Sequence, residues 1–463
     1  MADSTFFEKQ KLFVEKMEKH KLPSVVIDNF SYYYEKIISG EKGLIFNKNI
    51  EAVQSEDIED FNNIEKYVEA GKKVLNKAVM IVLNGGLGTS MGLTKAKSLI
   101  RVKNNLSFLE IIIKGMEALN VRLVLMNSFS TNEDTISEIN KINPLRQPEI
   151  FLQHKFPKII EKDFTPAEWP KNKELEWNPP GHGDIYTALQ TSGMLKKLLN
   201  EGIKYAFISN CDNLGASLEE ALLGYFSEKN LPFMMEVSDR TPSDIKGGHL
   251  ARSKNGGLLL RESAQCPSDE ISAFQDINLF HFFNTNNIWV NLEFLNTLIK
   301  KEKSVKLPII LNPKNLDPRD EKSPKVYQVE TAMGSAIFLF EGASAIKVHR
   351  SRFFPVKKCN DLLTLQSDCY ILSEGYKIIE NPERKLERIK IQLDSKYYNN
   401  IDDYEKRFPE GIPSLQECKG LTVKGDVLFE KNITIKNDIL INNTTGNQVI
   451  VKEGTIIEKD LIF

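Results

Sequence analysis

The sequence contains no CxxC spacing. Its five cysteines, Cys211, Cys266, Cys359, Cys369 and Cys418, are scattered and odd in number, which argues against a disulfide framework or a zinc site and fits a reducing compartment. An excess of charge of either sign is also missing. Lys and Arg total 61 against 63 Asp and Glu, a formal net charge of -2, so no long-range field favours nucleic acid or an anionic membrane. Any anion site must be local. Long apolar runs are absent too, none approaching the ~20 residues needed to span a bilayer. The first residues, MADSTFFEKQ, carry Asp3 and Glu8 where a signal peptide is basic and then apolar. Together these absences lead us to expect a cytoplasmic globular protein with neither membrane nor nucleic acid as partner.

What is present is a chain of 463 residues with 41% hydrophobic content, enough to bury a large core and to form two or three domains. From Thr5 to about Gly40, Phe6, Phe7, Leu12, Phe13 and Met17, then Ile27, Tyr32, Tyr33, Ile37 and Ile38 after Pro23, recur at helical intervals. This predicts a helical N-terminal region over 1–75. Near Ala78 the pattern changes to short continuous apolar runs. Residues 78–83, 121–126, 149–152 and 205–208 are such runs, separated by helix-length sequence and ending in Asn84, Asn127, Gln153 and Ser209-Asn210-Cys211-Asp212. Buried strands alternating with helices predict an α/β domain over 76–385 with a mixed, mainly parallel sheet. In such sheets ligands sit at the carboxyl ends of the strands, where these polar residues fall.

The tail has a different rhythm. The pairs Leu421/Val423, Val427/Phe429, Ile433/Ile435 and Ile439/Ile441 recur every six residues, and Val449/Val451 continues the series after a polar interruption. A six-residue period predicts a small parallel β-solenoid within a C-terminal domain, 386–463. Its open end needs a cap, the main domain or another subunit, which makes a homo-oligomer built through the tail an expectation.

The densest local signal is the stretch from Leu83 to Gly92, Leu-Asn-Gly-Gly-Leu-Gly-Thr-Ser-Met-Gly, followed by Lys95 and Lys97. Glycines that reach φ > 0 cheaply can turn successive N–H groups inward around a phosphate, with lysine supplying charge. A tight turn serving packing alone is the plain alternative. The GxxxxGK[ST] spacing of a Walker loop is missing, and Gly86-x-Gly88-xxx-Gly92 departs from the dinucleotide fingerprint.

This loop, with Lys97-Ser98 behind it, resembles the signature of the eukaryotic-type UDP-glucose pyrophosphorylases. The likeness continues in order through Asn127-Ser128-Phe129, Phe156-Pro157-Lys158, Trp177-Asn178-Pro179-Pro180-Gly181-His182-Gly183-Asp184 and the Ser209–Gly215 segment. Lys246-Gly247-Gly248, Phe283-Asn284-Thr285-Asn286-Asn287 and Arg352-Phe353-Phe354-Pro355-Val356-Lys357 extend it over essentially the whole chain. The resemblance implies a nucleotide-diphospho-sugar transferase-like, Rossmann-like fold with a C-terminal parallel β-helix. It also implies attack by the phosphate of glucose 1-phosphate on the α-phosphorus of UTP, giving UDP-glucose and pyrophosphate with help from Mg²⁺. One departure is Thr94-Lys95-Ala96-Lys97, where the family commonly has a glycine and a proline ahead of its lysine, so the part played by Lys95 stays open.

By that resemblance Lys97 serves the triphosphate, Lys357 serves the α-phosphate and sugar phosphate, and Leu83, Asn84, Gly85 and Gly86 line the nucleotide. Asp212 is a carboxylate at a strand end, suited to Mg²⁺ or to capping a helix. Gln153 can pair with the uracil edge, while the glycine-flanked His182, with Gly181, is expected to be exposed and to touch substrate. Asn210, Cys211, Gly248, Glu262, Asn284, Thr285, Asn286 and Asn287 are implied around the sugar, although Asx turns would equally explain the asparagines. The nearest rival is a pyrophosphorylase for N-acetylhexosamine or for several sugar phosphates. A nucleotide-binding scaffold without activity is the rival from another class.

Overall fold

The computed structural model describes residues 2–463, with side chains from Phe6 onward. Its main sheet has eleven strands: Ile50–Ala52 (β1), Glu59–Asp60 (β2), Ala78–Asn84 (β3), Arg122–Asn127 (β4), Glu149–Leu152 (β5), Tyr205–Asn210 (β6), Phe233–Asp239 (β7), His249–Ser253 (β8), Leu258–Arg261 (β9), Phe282–Asn291 (β10) and Ser344–Lys347 (β11). The order is β2-β11-β7-β10-β6-β3-β4-β5, with β8 joined to β10, β1 and β9. All seven residues of β3 are buried. Ala78, Met80 and Val82 enter one hydrophobic core and Val79, Ile81 and Leu83 another, on opposite faces. A strand covered on both sides must be apolar at every position, which is why the run is continuous rather than alternating.

From β6 through β3 and β4 to β5 all pairings are parallel. β10 then runs antiparallel between β6 and β7, so the sheet is evenly mixed rather than mainly parallel. The antiparallel insertion has a functional consequence. Ile208 of β6 lies opposite Ile288, so the start of β10, Phe282 to Asn287, extends past the carboxyl end of β6 to the edge where β3, β4 and β5 also terminate.

The N-terminal arm is two helices, Ala2–Lys19 (α1) and Ser24–Ile38 (α2). Pro23, with φ -58 and ψ 145, sits between them as the N-cap of α2. Phe13, Met17, Phe30, Tyr33 and Tyr34 pack against Phe156, Trp177, Ile309 and Val329. The region up to residue 75 is not continuously helical, because β1 and β2 join the edges of the main sheet before helix resumes at Val68–Val74.

In the tail, Leu421 and Val423 pair in parallel with Ile439 and Ile441, three six-residue steps further on. Val427 and Phe429 pair with Val449 and Val451, a longer step because the polar segment Asn443–Asn447 loops out between them. The tail's buried aliphatics form one continuous core with the helix Cys359–Gln366 and the β3 face that carries Met80. Its inner end is therefore covered by the body of the same chain. Among the described residues no helix is long and apolar enough to cross a membrane.

Candidate active site

The glycine loop leaves β3 and returns on itself through a hydrogen bond from the Lys97 N–H to the Gly86 carbonyl at 3.2 Å. Met91, Ala96 and Ser98 are buried and anchor it from beneath. Of its four glycines only Gly92 has a positive φ, +74°. The others answer to space: a Cβ on Gly85 would lie 2.9 Å from the Gln153 Oε1, and one on Gly88 would lie 2.4 Å from Leu93. At Gly86 an added Cβ would meet nothing within 4 Å, so this backbone stands open to the crevice. The nest of left-handed glycines expected from the sequence is replaced by close packing on either side of one open position.

Lys97 extends from this loop to Asp212, past the end of β6, with Nζ 2.6 Å from Oδ2. Both side chains are largely sheltered from solvent. Lys95 is exposed and lies outside this pair. Asp212 is also tied to the Lys357 segment, since its carbonyl accepts the Val356 N–H at 3.0 Å. The Lys357 carbonyl accepts the Ser90 hydroxyl at 3.1 Å, so the glycine loop, Asp212 and Lys357 form one group. Among the described residues no cluster of three or more His, Cys, Asp or Glu side chains could enclose a metal. A single, largely sheltered carboxylate fits Mg²⁺, which completes its octahedron with water and phosphate oxygens rather than a protein cage.

On the β5 side, Gln153 bridges two loops. Its Nε2–H donates to the Gly181 carbonyl at 2.7 Å while Oε1 faces Gly85, which leaves a second amide hydrogen and Oε1 for a planar donor-acceptor edge. Gly181 requires glycine twice over: its φ is +76°, and a Cβ there would stand 2.4 Å from the Thr331 carbonyl. His182 is half-buried, not exposed as the flanking glycines suggested, because those glycines admit Thr331 and Leu307. Its Nδ1 accepts the Met333 N–H at 3.0 Å, and burial lowers its pKa to about 4. The ring is therefore neutral with its hydrogen on Nε2.

Sequence reasoning did not single out His154 and gave no role to Asp184 at the end of its motif, yet the two lock these loops together. The Asp184 carboxylate accepts the His154 backbone N–H at 2.7 Å and the ring Nδ1–H at 3.0 Å, while the Thr191 hydroxyl lies 2.9 Å from Nε2. No spacing rule links the two residues; only the fold brings them together.

Across the crevice, Gly248 lies against Glu262, where an added Cβ would meet the carboxylate at 2.6 Å. The Asn284 N–H donates to the Gly248 carbonyl at 3.1 Å, and Asn284 and Asn286 bond each other at 2.9 Å. Burial pushes the Glu262 pKa up to about 7, with Lys357 and Asn284 opposing the rise. Lys357, Glu262, Asn284 and Gly248 thus surround one polar recess.

Other expected site residues turn inward. Asn84 donates to Asn127 and Thr135 at 2.8 and 2.9 Å, and the Leu83 side chain belongs to the core, so both contribute backbone at most. Cys211 is core as well, with burial raising its thiol pKa to about 12. Thr285 and Asn287 are buried and bonded to Glu236. Asn210 is half-buried at the end of β6, its carbonyl accepting the Asn213 N–H at 3.2 Å.

Comparison with known proteins gives the same frame. The family model described as UTP–glucose-1-phosphate uridylyltransferase matches residues 27–436. The chain is 40% identical to the enzyme of that name from Hordeum vulgare over 404 residues, covering 85% of this chain and 83% of that one. It is 37% identical to the one from Encephalitozoon cuniculi over 444 residues, covering 94% and 87%. Among solved structures, a variant of the Leishmania major UDP-glucose pyrophosphorylase in complex with UDP-glucose superposes with a TM-score of 0.90 at 38% identity, covering 98% and 99% of the two chains.

Proposed function

This chain belongs to the UTP–glucose-1-phosphate uridylyltransferase family, and on that premise we propose that it makes UDP-glucose and pyrophosphate from UTP and glucose 1-phosphate in the crevice between the glycine loop and β10. The observation that carries this reading is the Lys97–Asp212 pair at 2.6 Å, set between the donor-acceptor edge of Gln153 at Gly181 and the polar recess at Glu262 and Asn284.

A phosphate oxygen of the sugar phosphate attacks the α-phosphorus, and the bond to the bridging oxygen of pyrophosphate breaks in line. No proton has to be removed from the nucleophile, which is already anionic, so the residues act by holding two repelling anions and neutralising charge as it redistributes. Lys97, tethered to the Gly86 backbone, faces the triphosphate. Lys357, fixed through Asp212 and Ser90, faces the α-phosphate and the incoming sugar phosphate. Gln153 reads the uracil edge, and the neutral His182 offers an Nε2–H to the substrate. Asp212 would hold Mg²⁺, which when bound neutralises phosphate charge.

We further infer a nucleotide-diphospho-sugar transferase-like domain over 76–385 and a domain over 386–463 whose parallel coils are a short β-helix. A location in the cytoplasm agrees with the five free cysteines. Exposed Ile456 and Ile462 at the outer end of the coils support self-association there. The test of the reaction is pyrophosphate release from UTP and Mg²⁺ with glucose, galactose and N-acetylglucosamine 1-phosphates in parallel. Release with glucose 1-phosphate is the expected result. A preference for N-acetylglucosamine 1-phosphate moves the enzyme to a sister activity, and no release with any sugar removes the reading.

A further inference from the structure

Glu236 sits in the apolar run Phe233-Met234-Met235-Glu236-Val237 and has no exposed surface. A charge at such a place is retained only when its oxygens are fully partnered. They are: Arg352 donates Nε–H to Oε2 at 2.8 Å and Nη2–H to Oε1 at 2.7 Å, Trp289 donates its Nε1–H to Oε1 at 2.9 Å, and Asn287 donates to Oε2 at 3.0 Å. Burial works against the Arg352 charge, but Glu236, by charge and hydrogen bond, together with Glu219 raises the Arg352 pKa.

Two parts of the crevice are rooted in this carboxylate. The first is a bulge. Glu236 lies opposite Asn287 and Val237 opposite Asn284, so Thr285 and Asn286 are extra residues in β10. The Glu236 carbonyl accepts the Thr285 hydroxyl at 2.7 Å, and Asn286 turns through a φ of 57°. Glu236 therefore pins the bulge that carries Asn284 and Asn286 to the sugar recess. The second is the Lys357 segment. The Arg352 carbonyl accepts from Asn213 at 3.1 Å, Asn213 Oδ1 accepts the Phe354 N–H at 2.8 Å, and two residues later Val356 is bonded to the Asp212 carbonyl. A β-bridge joins Asn213 to Pro355.

We propose that Glu236, acting through Arg352 and Asn213, is the positioning residue that registers the sugar-binding bulge of β10 with Asp212 and Lys357. It touches no substrate; it fixes the distance between the part of the site that holds the sugar and the part that holds its phosphate. The Gln153–Gly181 bridge lies outside this network, and the glycine loop meets it only through Asp212 and Lys357, so it bears on the sugar phosphate and the chemical step more than on the binding of UTP.

This inference rests on the uridylyltransferase reading, so wild-type turnover is measured beside each variant. Asn213→Ala removes the link without leaving a buried charge, and Glu236→Gln sets an amide N–H against a neighbouring donor. We expect folded Asn213→Ala to lose roughly tenfold or more in kcat, as angstrom-scale misplacement does, and to show a raised KM for glucose 1-phosphate. Its UTP affinity by calorimetry should fall by clearly less than its turnover, because the Gln153–Gly181 side of the crevice is held apart from the network. Glu236→Gln, if folded, shares that split and is the more severe; if it does not fold, Asn213→Ala decides. Normal kcat in folded Asn213→Ala, or UTP binding weakened as much as turnover, overturns the proposal. An inactive wild type would overturn the assigned reaction instead.

Discussion

Replacing Glu262 with glutamine tests how dry the sugar recess is. Burial raises its pKa from an ordinary 4.5 to about 7, equivalent to about 3 kcal/mol of preference for the protonated acid at 1.36 kcal/mol per pKa unit. The folded protein holds this proton more tightly than the unfolded chain. The stability Glu262 contributes is thus fully present below pH 4.5 and is withdrawn as the pH climbs through about 7. Glutamine has the same shape and no such proton. The stability of Glu262→Gln relative to wild type should therefore rise by about 3 kcal/mol from pH 4.5 to pH 8, on top of whatever constant offset the amide brings. Urea denaturation of both proteins across this range gives the difference directly, and the difference cancels every other titrating group. Because the Lys357 charge opposes the rise, Lys357→Ala should move the transition to higher pH. A stability difference that does not change with pH would mean that the carboxylate is solvated and that the recess around Gly248 and Asn284 is open to water.

Three further outcomes follow from the same geometry. Lys357→Ala should fold and lose on the order of 10²–10³ in kcat, about 3 kcal/mol of transition-state stabilisation; near-normal kcat in the folded variant would remove its catalytic role. His154→Ala breaks the ring contact to Asp184 and lets the Gln153 and Gly181 loops drift, so steady-state kinetics should show the KM for UTP rising about tenfold or more, as loss of a charge-assisted hydrogen bond allows, with kcat at saturation kept. Deleting residues from Leu421 onward strips partners from a core shared with the catalytic body, so the melting temperature should fall by several degrees; an unchanged melt and unchanged mass by light scattering would show the tail to be an independent appendage.

The sequence discloses this fold unevenly, for physical reasons. Strands β3, β4 and β6 are legible because burial on both faces demands unbroken apolar runs, and their polar ends, with that of the edge strand β5, mark the crevice. The tail is legible because each coil repeats the same buried pair. β10 is harder to read: Asn284-Thr285-Asn286-Asn287 looks like a polar loop, and it is a strand only because Glu236 satisfies Thr285 and Asn287 from the neighbouring strand. For the same reason the cluster is predictable as a site while its facing is not. Asn284 and Asn286 bond each other at the recess, and their alternates turn into the interior. Glu236 itself left a trace, a carboxylate inside an apolar run, whereas the His154–Asp184 contact left none.

The Lys97–Asp212 pair explains how one crevice tolerates both its free and its occupied state. Each side chain is more than four-fifths sheltered, and an unpaired charge in such a place costs several kcal/mol. Without substrate the two neutralise each other. On the proposed reading a triphosphate brings anionic oxygens to Lys97, and its accompanying cation gives Asp212 a partner, so neither group is stranded when the pair opens. The same logic separates Lys95 from Lys97. A lysine at 95 is exposed to water and has no charge to exchange, so substrate gains little by meeting it. On that reading a preference for a metal-bearing triphosphate over a metal-free anion would be a property of the pair, since an anion alone would take Lys97 and leave the sheltered Asp212 carboxylate unanswered.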